Sequence, residues 1–219
     1  MKTTVILAIL DGWGIGRNDE SNAIYVAQPK TIAALEREFP VTSLQASGIA
    51  VGLPWGEVGN SEVGHLTLGA GKTLYQYYPK ITLAIQGGAF FENEALKKAC
   101  AHVRAHNSTL HLAGLLSTAN VHASLEHVKA LITLAEREKI SNVKLHLWAD
   151  GKDGPPKLLP KLLKGVPMEK VASLCGRYYA MDRNQNWQLT KAAYDLMTAG
   201  VGTSAPDPLP VIEATFAKG

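Results

Sequence analysis

Hydrophobic and polar positions fall into two regimes along this chain. Residues 4–10, Thr-Val-Ile-Leu-Ala-Ile-Leu, form an unbroken apolar run rich in Val and Ile and closed by Asp11-Gly12. That pattern predicts a strand buried on both faces. Pro29 opens a predicted helix reaching Phe39, with Ile32, Leu35 and Phe39 on one stripe, and Pro40 stops it. Residues 41–46 read as a short strand, and Gly48 to Gly59 as a glycine-rich loop leading to Ser61.

From about Thr73 the pattern becomes a regular alternation. Helices are predicted over 93–106, 121–139, 155–163 and 187–198, and buried strands over 109–116, 144–148 and 170–174. A loop rich in Gly, Pro, Ser and Thr at 200–210 precedes a short last helix. Alternating strands and helices of these lengths imply right-handed crossovers and a mostly parallel sheet, so the fold class is α/β.

Composition narrows the classes of function. With 219 residues and 46% hydrophobic positions, the chain buries a real core as one large domain or two small ones. The formal charge of +3, from 22 basic and 19 acidic residues, is mild and forms no basic arm or stripe. Nucleic acid is therefore not the expected partner, whereas small anionic substrates fit. Cys100 and Cys175 lack paired spacing and read as buried thiols. The 4–10 run is too short and wrongly flanked for a signal peptide or membrane span, which points to no membrane and a cytoplasmic location.

Open parallel sheets bind ligands at the carboxyl ends of their strands. Polar segments fall there at 117–124, 150–153 and 176–183, so His122, Lys152, Asp153, Arg177 and Arg183 are expected to converge on one edge. Guanidinium forks match carboxylate and phosphate oxygens; the plainer role of each arginine is a surface ion pair. His122 suits contact with a substrate hydroxyl, or capping of the helix that follows. Lys152 and Asp153 suit a charge clamp and a proton-transfer carboxylate, or Asp153 braces the turn before Pro155-Pro156.

In the first regime Ser61 stands between Gly59 and Gly64, at the expected opening of a helix whose free amides aim at an anion. It is a candidate phosphoryl acceptor, with an N-cap, followed by Glu62 as first-turn acid, as the alternative. Asp11 is the candidate metal ligand, a hard oxygen donor at a strand end, or else a turn acid ahead of Gly12. His65 either joins a metal or hydrogen-bonds within the Ser61 loop.

Taken together, Asp11-Gly12-Trp13-Gly14, the run from Gly59 to Gly71, Asp150 to Pro156 and Gly176 to Arg183 resemble the amino-terminal portion of the cofactor-independent phosphoglycerate mutases. The resemblance implies an alkaline-phosphatase-like domain, of which residues 1–75 are the first segment, and an inserted parallel-sheet α/β transferase domain, of which residues 76–219 are part. It implies interconversion of 3-phosphoglycerate and 2-phosphoglycerate in glycolysis and gluconeogenesis through a phosphoserine and two Mn2+ ions. By position Ser61 matches the nucleophile, and Asp11 with Ser61 matches part of one metal shell. His122, Lys152, Asp153, Arg177 and Arg183 match the positions that hold glycerate, with Asp153 as the proton shuttle.

The same resemblance exposes departures. Lys152 stands where the family has arginine, Thr118-Ala119-Asn120 replaces Asp-Gly-Gly ahead of His122, and Asn184 and Asn186 replace charged residues. Most metal ligands of the family, two further arginines and a lysine lie in a carboxyl-terminal segment beyond this chain. The expectation is a chain inactive alone and active once that segment is supplied. The competing expectations are a non-catalytic relic that binds a phosphorylated acid or a partner, and a phosphatase or phosphopentomutase of the same superfamily.

Overall fold

The computed structural model describes residues 3–217 and divides into two compact units, the first through Gln76 and the second from Tyr77.

The first unit is built of short helices and loops. Helix α1 (Ala23–Ala27) is capped by Asn22, whose side chain accepts from the Ile24 amide at 3.0 Å. Helix α2 (Lys30–Glu38) starts after Pro29, where the missing N–H costs nothing. A 3-10 turn at Gly48–Val51 breaks the glycine-rich loop, and helix α3 (Ser61–Ala70) follows. Asn60, not Ser61, is its N-cap: the Asn60 side chain accepts from the Val63 amide at 2.9 Å. Gly71 ends α3 in a left-handed conformation at φ 63°.

Two expectations fail in this unit. Residues 4–10 are not a buried strand; Val5 is 88% exposed and Ile6 85%. Residues 41–46 form no strand either, and Leu44 is exposed. Apolar alternation supplies only the propensity, whereas a strand exists through its ladder partners. Among the described residues of this unit neither segment has one.

The second unit carries the predicted alternation: α4 (Tyr77–Gln86), α5 (Glu94–His106), β1 (Leu110–Leu116), α6 (Leu125–Arg137), β2 (Val143–Ala149), α7 (Leu159–Leu163), β3 (Val171–Gly176), α8 (Arg177–Ala180), α9 (Trp187–Ala199) and α10 (Leu209–Ala217). The strands pair in parallel in the order β1-β2-β3, with a register shift at Leu145/His146. One core joins Leu116, Leu145 and Leu147 of the sheet to Cys100 of α5, Ile132 and Ala135 of α6, Leu163 of α7 and Ile212 of α10. Leu116 and Leu145 are wholly buried, and each such side chain contributes about 1.5–3 kcal/mol. Cys100 is buried as expected, but Cys175 is only half-buried.

Three departures bear on the site. The third predicted helix is shorter, Leu159–Leu163, because the chain first turns at Pro156-Lys157, where Lys157 takes a left-handed φ of 62° that no helix continues. The second begins only at Leu125, so His122 sits in the preceding loop and does not cap it; the Leu125 amide instead donates to the Ser117 carbonyl at 2.9 Å. A polar ladder also crosses the sheet: His111 Nδ1 lies 2.9 Å from His146 Nε2, and His146 Nδ1 lies 2.8 Å from Ser173 Oγ.

Beside β3 runs a groove of about 1130 Å3, lined by residues that include Tyr179, Leu196, Val201, Ile212 and Phe216. Among the described residues no helix is long and apolar enough to cross a membrane.

Candidate functional site

In the first unit the chain brings Ser61 to Asp11 across fifty positions: Ser61 Oγ donates to Asp11 Oδ2. Both residues are exposed. Ser61 is the first residue of α3; among the described residues the amides of Ser61 and Glu62 have no partner, while those of Val63 and Gly64 are held by Asn60, and the helix dipole favours an anion there. One turn on, His65 Nδ1–H donates to the Ser61 carbonyl at 2.7 Å, so its Nε2 carries the free lone pair. The approach to Ser61 depends on Gly59. A Cβ there would lie 2.0 Å from the Ala46 carbonyl oxygen, so no other residue fits without backbone movement.

Asp11 and Ser61 place two oxygen donors side by side, the donor class that hard divalent cations take. Among the described residues no three His, Cys, Asp or Glu gather into a metal-holding group. The pair therefore fits as part of an oxygen-rich shell of about six positions, not as a whole one.

In the second unit a separate cluster forms where the three strands end. Asp150, directly after β2, has a side chain only 4% exposed. Its Oδ1 accepts from the amides of Gly151 (2.8 Å), Lys152 (3.0 Å) and Asp153 (3.1 Å), and from Arg177 Nη1 at 3.0 Å. Its Oδ2 accepts from Ser117 Oγ at 2.6 Å and from the Gly154 amide at 3.0 Å. Burial is the largest single influence on this carboxyl and opposes ionisation. The bonds from Ser117, from the Lys152 and Asp153 amides and from Arg177 together outweigh it and hold Asp150 well below the usual carboxylate range.

Arg177, at the start of α8 directly after β3, also donates from Nη1 to Asp153 Oδ2 at 2.6 Å. These carboxylates raise its pKa, Asp153 foremost. His122 Nε2 lies 3.8 Å from the same Asp153 oxygen. The ends of β1, β2 and β3 thus bring His122, Asp153 and Arg177 together. The bonds of Arg177 to Asp150 and Asp153 both run from Nη1, and among the described residues Nη2 and Nε make no hydrogen bond. Lys152 and Arg183 are exposed, and among the described residues neither side chain is tied to the cluster.

Asp150 and Ser117 were not singled out by sequence reading, yet they organise the cluster. The available signal was an acid at a strand end followed by four residues whose amides curl back onto it. Asp11-Gly12 at the other candidate site has the same opening. Asn120, in the loop before His122, sits at φ 61°, a left-handed position that Asn tolerates better than most residues.

Comparison with known proteins identifies the family. The family model described as BPG-independent PGAM N-terminus (iPGM_N) matches residues 81–219. The 2,3-bisphosphoglycerate-independent phosphoglycerate mutase of Clostridium beijerinckii is 42% identical over 98% of this chain and 43% of its own length. The 2,3-bisphosphoglycerate-independent phosphoglycerate mutase 1 of Methanosarcina barkeri is 42% identical over 100% of this chain and 44% of its own. The phosphoglycerate mutase of Leishmania mexicana, whose crystal structures were determined at low cobalt concentration, is 30% identical with a TM-score of 0.54, covering 86% of this chain and 37% of that one. The chain spans less than half the length of the curated relatives it matches.

Proposed function

This chain belongs to the BPG-independent phosphoglycerate mutase family, and we propose that it supplies the phosphate-accepting serine and most of the glycerate cradle of an enzyme interconverting 3-phosphoglycerate and 2-phosphoglycerate. The observation that carries this reading is the Ser61 hydroxyl, bonded to Asp11 and seated at the N-terminus of α3. Residues 1–75 are assigned to the first segment of an alkaline-phosphatase-like domain and residues 76–219 to part of an inserted transferase domain. The remainder of the family's length would supply strand partners for residues 4–10.

Asp11 and Ser61 would hold a divalent cation of the manganese class, one of two, which when bound lowers the hydroxyl's pKa and offsets phosphate charge. Asp11 Oδ2 already accepts the Ser61 proton in a hydrogen bond, which orients Oγ for attack on phosphorus. The unpaired amides at the start of α3 face the transferred phosphoryl oxygens.

In the cradle, Arg177 presents Nη2 and Nε to the glycerate carboxylate while Nη1 is anchored by Asp150 and Asp153. His122, Lys152 and Arg183 add donors around the same substrate. Asp153 Oδ2 is held by Arg177, so Oδ1 is the oxygen that takes a proton from one glycerate hydroxyl and returns it to the other. The bound glycerate then receives the phosphoryl group on its second hydroxyl. The remaining metal ligands are assigned to the segment that the relatives carry beyond this chain.

The test is mass spectrometry of the chain joined to that carboxyl-terminal segment during turnover with 3-phosphoglycerate and Mn2+. A phosphate on Ser61 and loss of turnover in Ser61→Ala are expected. Undiminished turnover in Ser61→Ala would overturn the reading.

A further inference from the structure

Helix α5 carries a pair of metal-ligating side chains that neither cluster uses. His102 and His106 stand four residues apart, so they share one face of the helix on successive turns. Both are exposed. Their rings stack with centroids 4.1 Å apart and 29° between planes.

His106 Nδ1–H donates to the His102 carbonyl at 2.9 Å. In the neutral ring this places the proton on Nδ1 and leaves the Nε2 lone pair free, the orientation that a backbone carbonyl gives to metal-ligating histidines. In the stack the two lone pairs do not yet meet; the exposed His102 ring turns out of it to bring a nitrogen toward the same point, and because one helix carries both rings the second bond costs little further ordering.

We propose that His102 and His106 form a two-imidazole site for a borderline divalent transition cation of the Zn2+, Ni2+ and Cu2+ group, with water completing the shell. Imidazole nitrogen suits these ions, and the order of divalent affinities places Mn2+ below them. The site is thus chemically distinct from the oxygen pair of Asp11 and Ser61 and does not depend on the function proposed above.

Its surroundings favour a cation. The pair lies in the last turns of α5, where the carbonyl ends of the helix carry partial negative charge. Arg104, between the two histidines in sequence, is turned away: its Nη1 binds Glu138 Oε2 at 2.8 Å and the Glu138 carbonyl at 2.7 Å. Lys98, one turn before His102, has a flexible stem that lets its ammonium swing clear.

The experiment is calorimetric titration of the tag-free protein with NiCl2 and ZnCl2 at neutral pH. One equivalent is expected to bind, with MnCl2 binding at least about tenfold more weakly. His102→Gln and His106→Gln keep helix propensity and should each weaken binding by more than the ~10-fold typical of losing a mere orienting partner. His146→Gln, which alters the other close histidine pair, should leave it unchanged. Circular dichroism melts without metal should coincide for the wild type and the two α5 variants, which separates ligation from folding. Absence of Ni2+ and Zn2+ binding, binding that survives both α5 substitutions, or equally tight Mn2+ binding would overturn the proposal.

Discussion

Asp150 and Arg177 form a nearly buried ion pair at the carboxyl edge of the sheet, with Arg177 Nη1 3.0 Å from Asp150 Oδ1 and side chains 15% and 4% exposed. Neither residue is an ordinary surface partner. Asp150 fastens the ends of β1, β2 and β3 to one another through Ser117, its own following loop and Arg177.

Asp150→Asn should therefore destabilise the protein by about 3 kcal/mol, the lower end for breaking a buried pair, because Arg177 keeps Asp153. The amide places an NH2 donor among groups that donate to the carboxylate, of which only the Ser117 hydroxyl can turn to accept. Urea unfolding should show a lower midpoint at an unchanged slope. The acid limb gives a second readout. The folded-state pKa of Asp150 lies below its ordinary value of 3.8, so its stabilisation is complete above that value and is lost as pH falls below it. Asp150→Asn should flatten that loss; an acid unfolding curve identical to wild type would contradict the central role of Asp150.

His146 predicts a different pH window. Burial foremost, and the neighbouring His111, lower its pKa from the ordinary 6.5, so the ring stays neutral in the fold while the unfolded chain takes up a proton. Stability should thus be complete above 6.5 and fall as pH drops below it, by at most about 1.4 kcal/mol per pH unit for each such group. His127, hydrogen-bonded to Thr82 at 2.9 Å and lowered by burial, adds a second contribution of the same sign. Unfolding free energies measured on both sides of 6.5 should show the slope, and His146→Gln should reduce it. An unreduced slope would mean that His146 does not titrate as its setting requires.

Arg177 and Arg183 should separate stability from binding. Arg177→Ala leaves Asp150 and Asp153 without their shared partner and should lower both the melting temperature and the affinity for 3-phosphoglycerate. Arg183 is exposed, so Arg183→Ala should change stability by no more than about 0.5 kcal/mol and yet weaken the same ligand. Thermal melts and calorimetry on both variants check this. Equal affinity of Arg183→Ala and wild type would remove Arg183 from the cradle.

Much of the second unit was legible because its helices and strands satisfy themselves locally or with near neighbours in sequence. The stripe of α5 and the Val and Leu runs of β1 to β3 encode both period and burial. Residues 4–10 misled because their pattern specifies a strand, while pairing depends on partners that the first unit does not offer among the described residues. Asp150 went unassigned for a related reason. An acid at a strand end becomes an organising group only once Ser117 and Arg177, 33 and 27 positions away, arrive beside it. Ser61 stands out in the sequence through its flanking glycines, but the cap of its helix does not: Asn60 and Ser61 are both good N-caps, and the backbone places Asn60 at the boundary.

Asn120 ties the departures of the His122 loop to a measurable cost. Its φ of 61° is left-handed, a conformation that strains a residue with a Cβ by about 1–2 kcal/mol unless a short polar side chain eases it. Asn120→Gly should accordingly be neutral or slightly stabilising, since the entropy that glycine adds to the unfolded chain is offset by relief of strain. Asn120→Val should cost about 1–2 kcal/mol, because β-branching tolerates this region least. The strain acts directly ahead of His122, whose Nε2 stands 3.8 Å from Asp153. Asn120→Val should therefore weaken 3-phosphoglycerate binding more than Asn120→Gly does, as calorimetry on the two variants would show. A neutral Asn120→Val would mean that the loop takes a right-handed conformation in solution and that His122 does not depend on this turn.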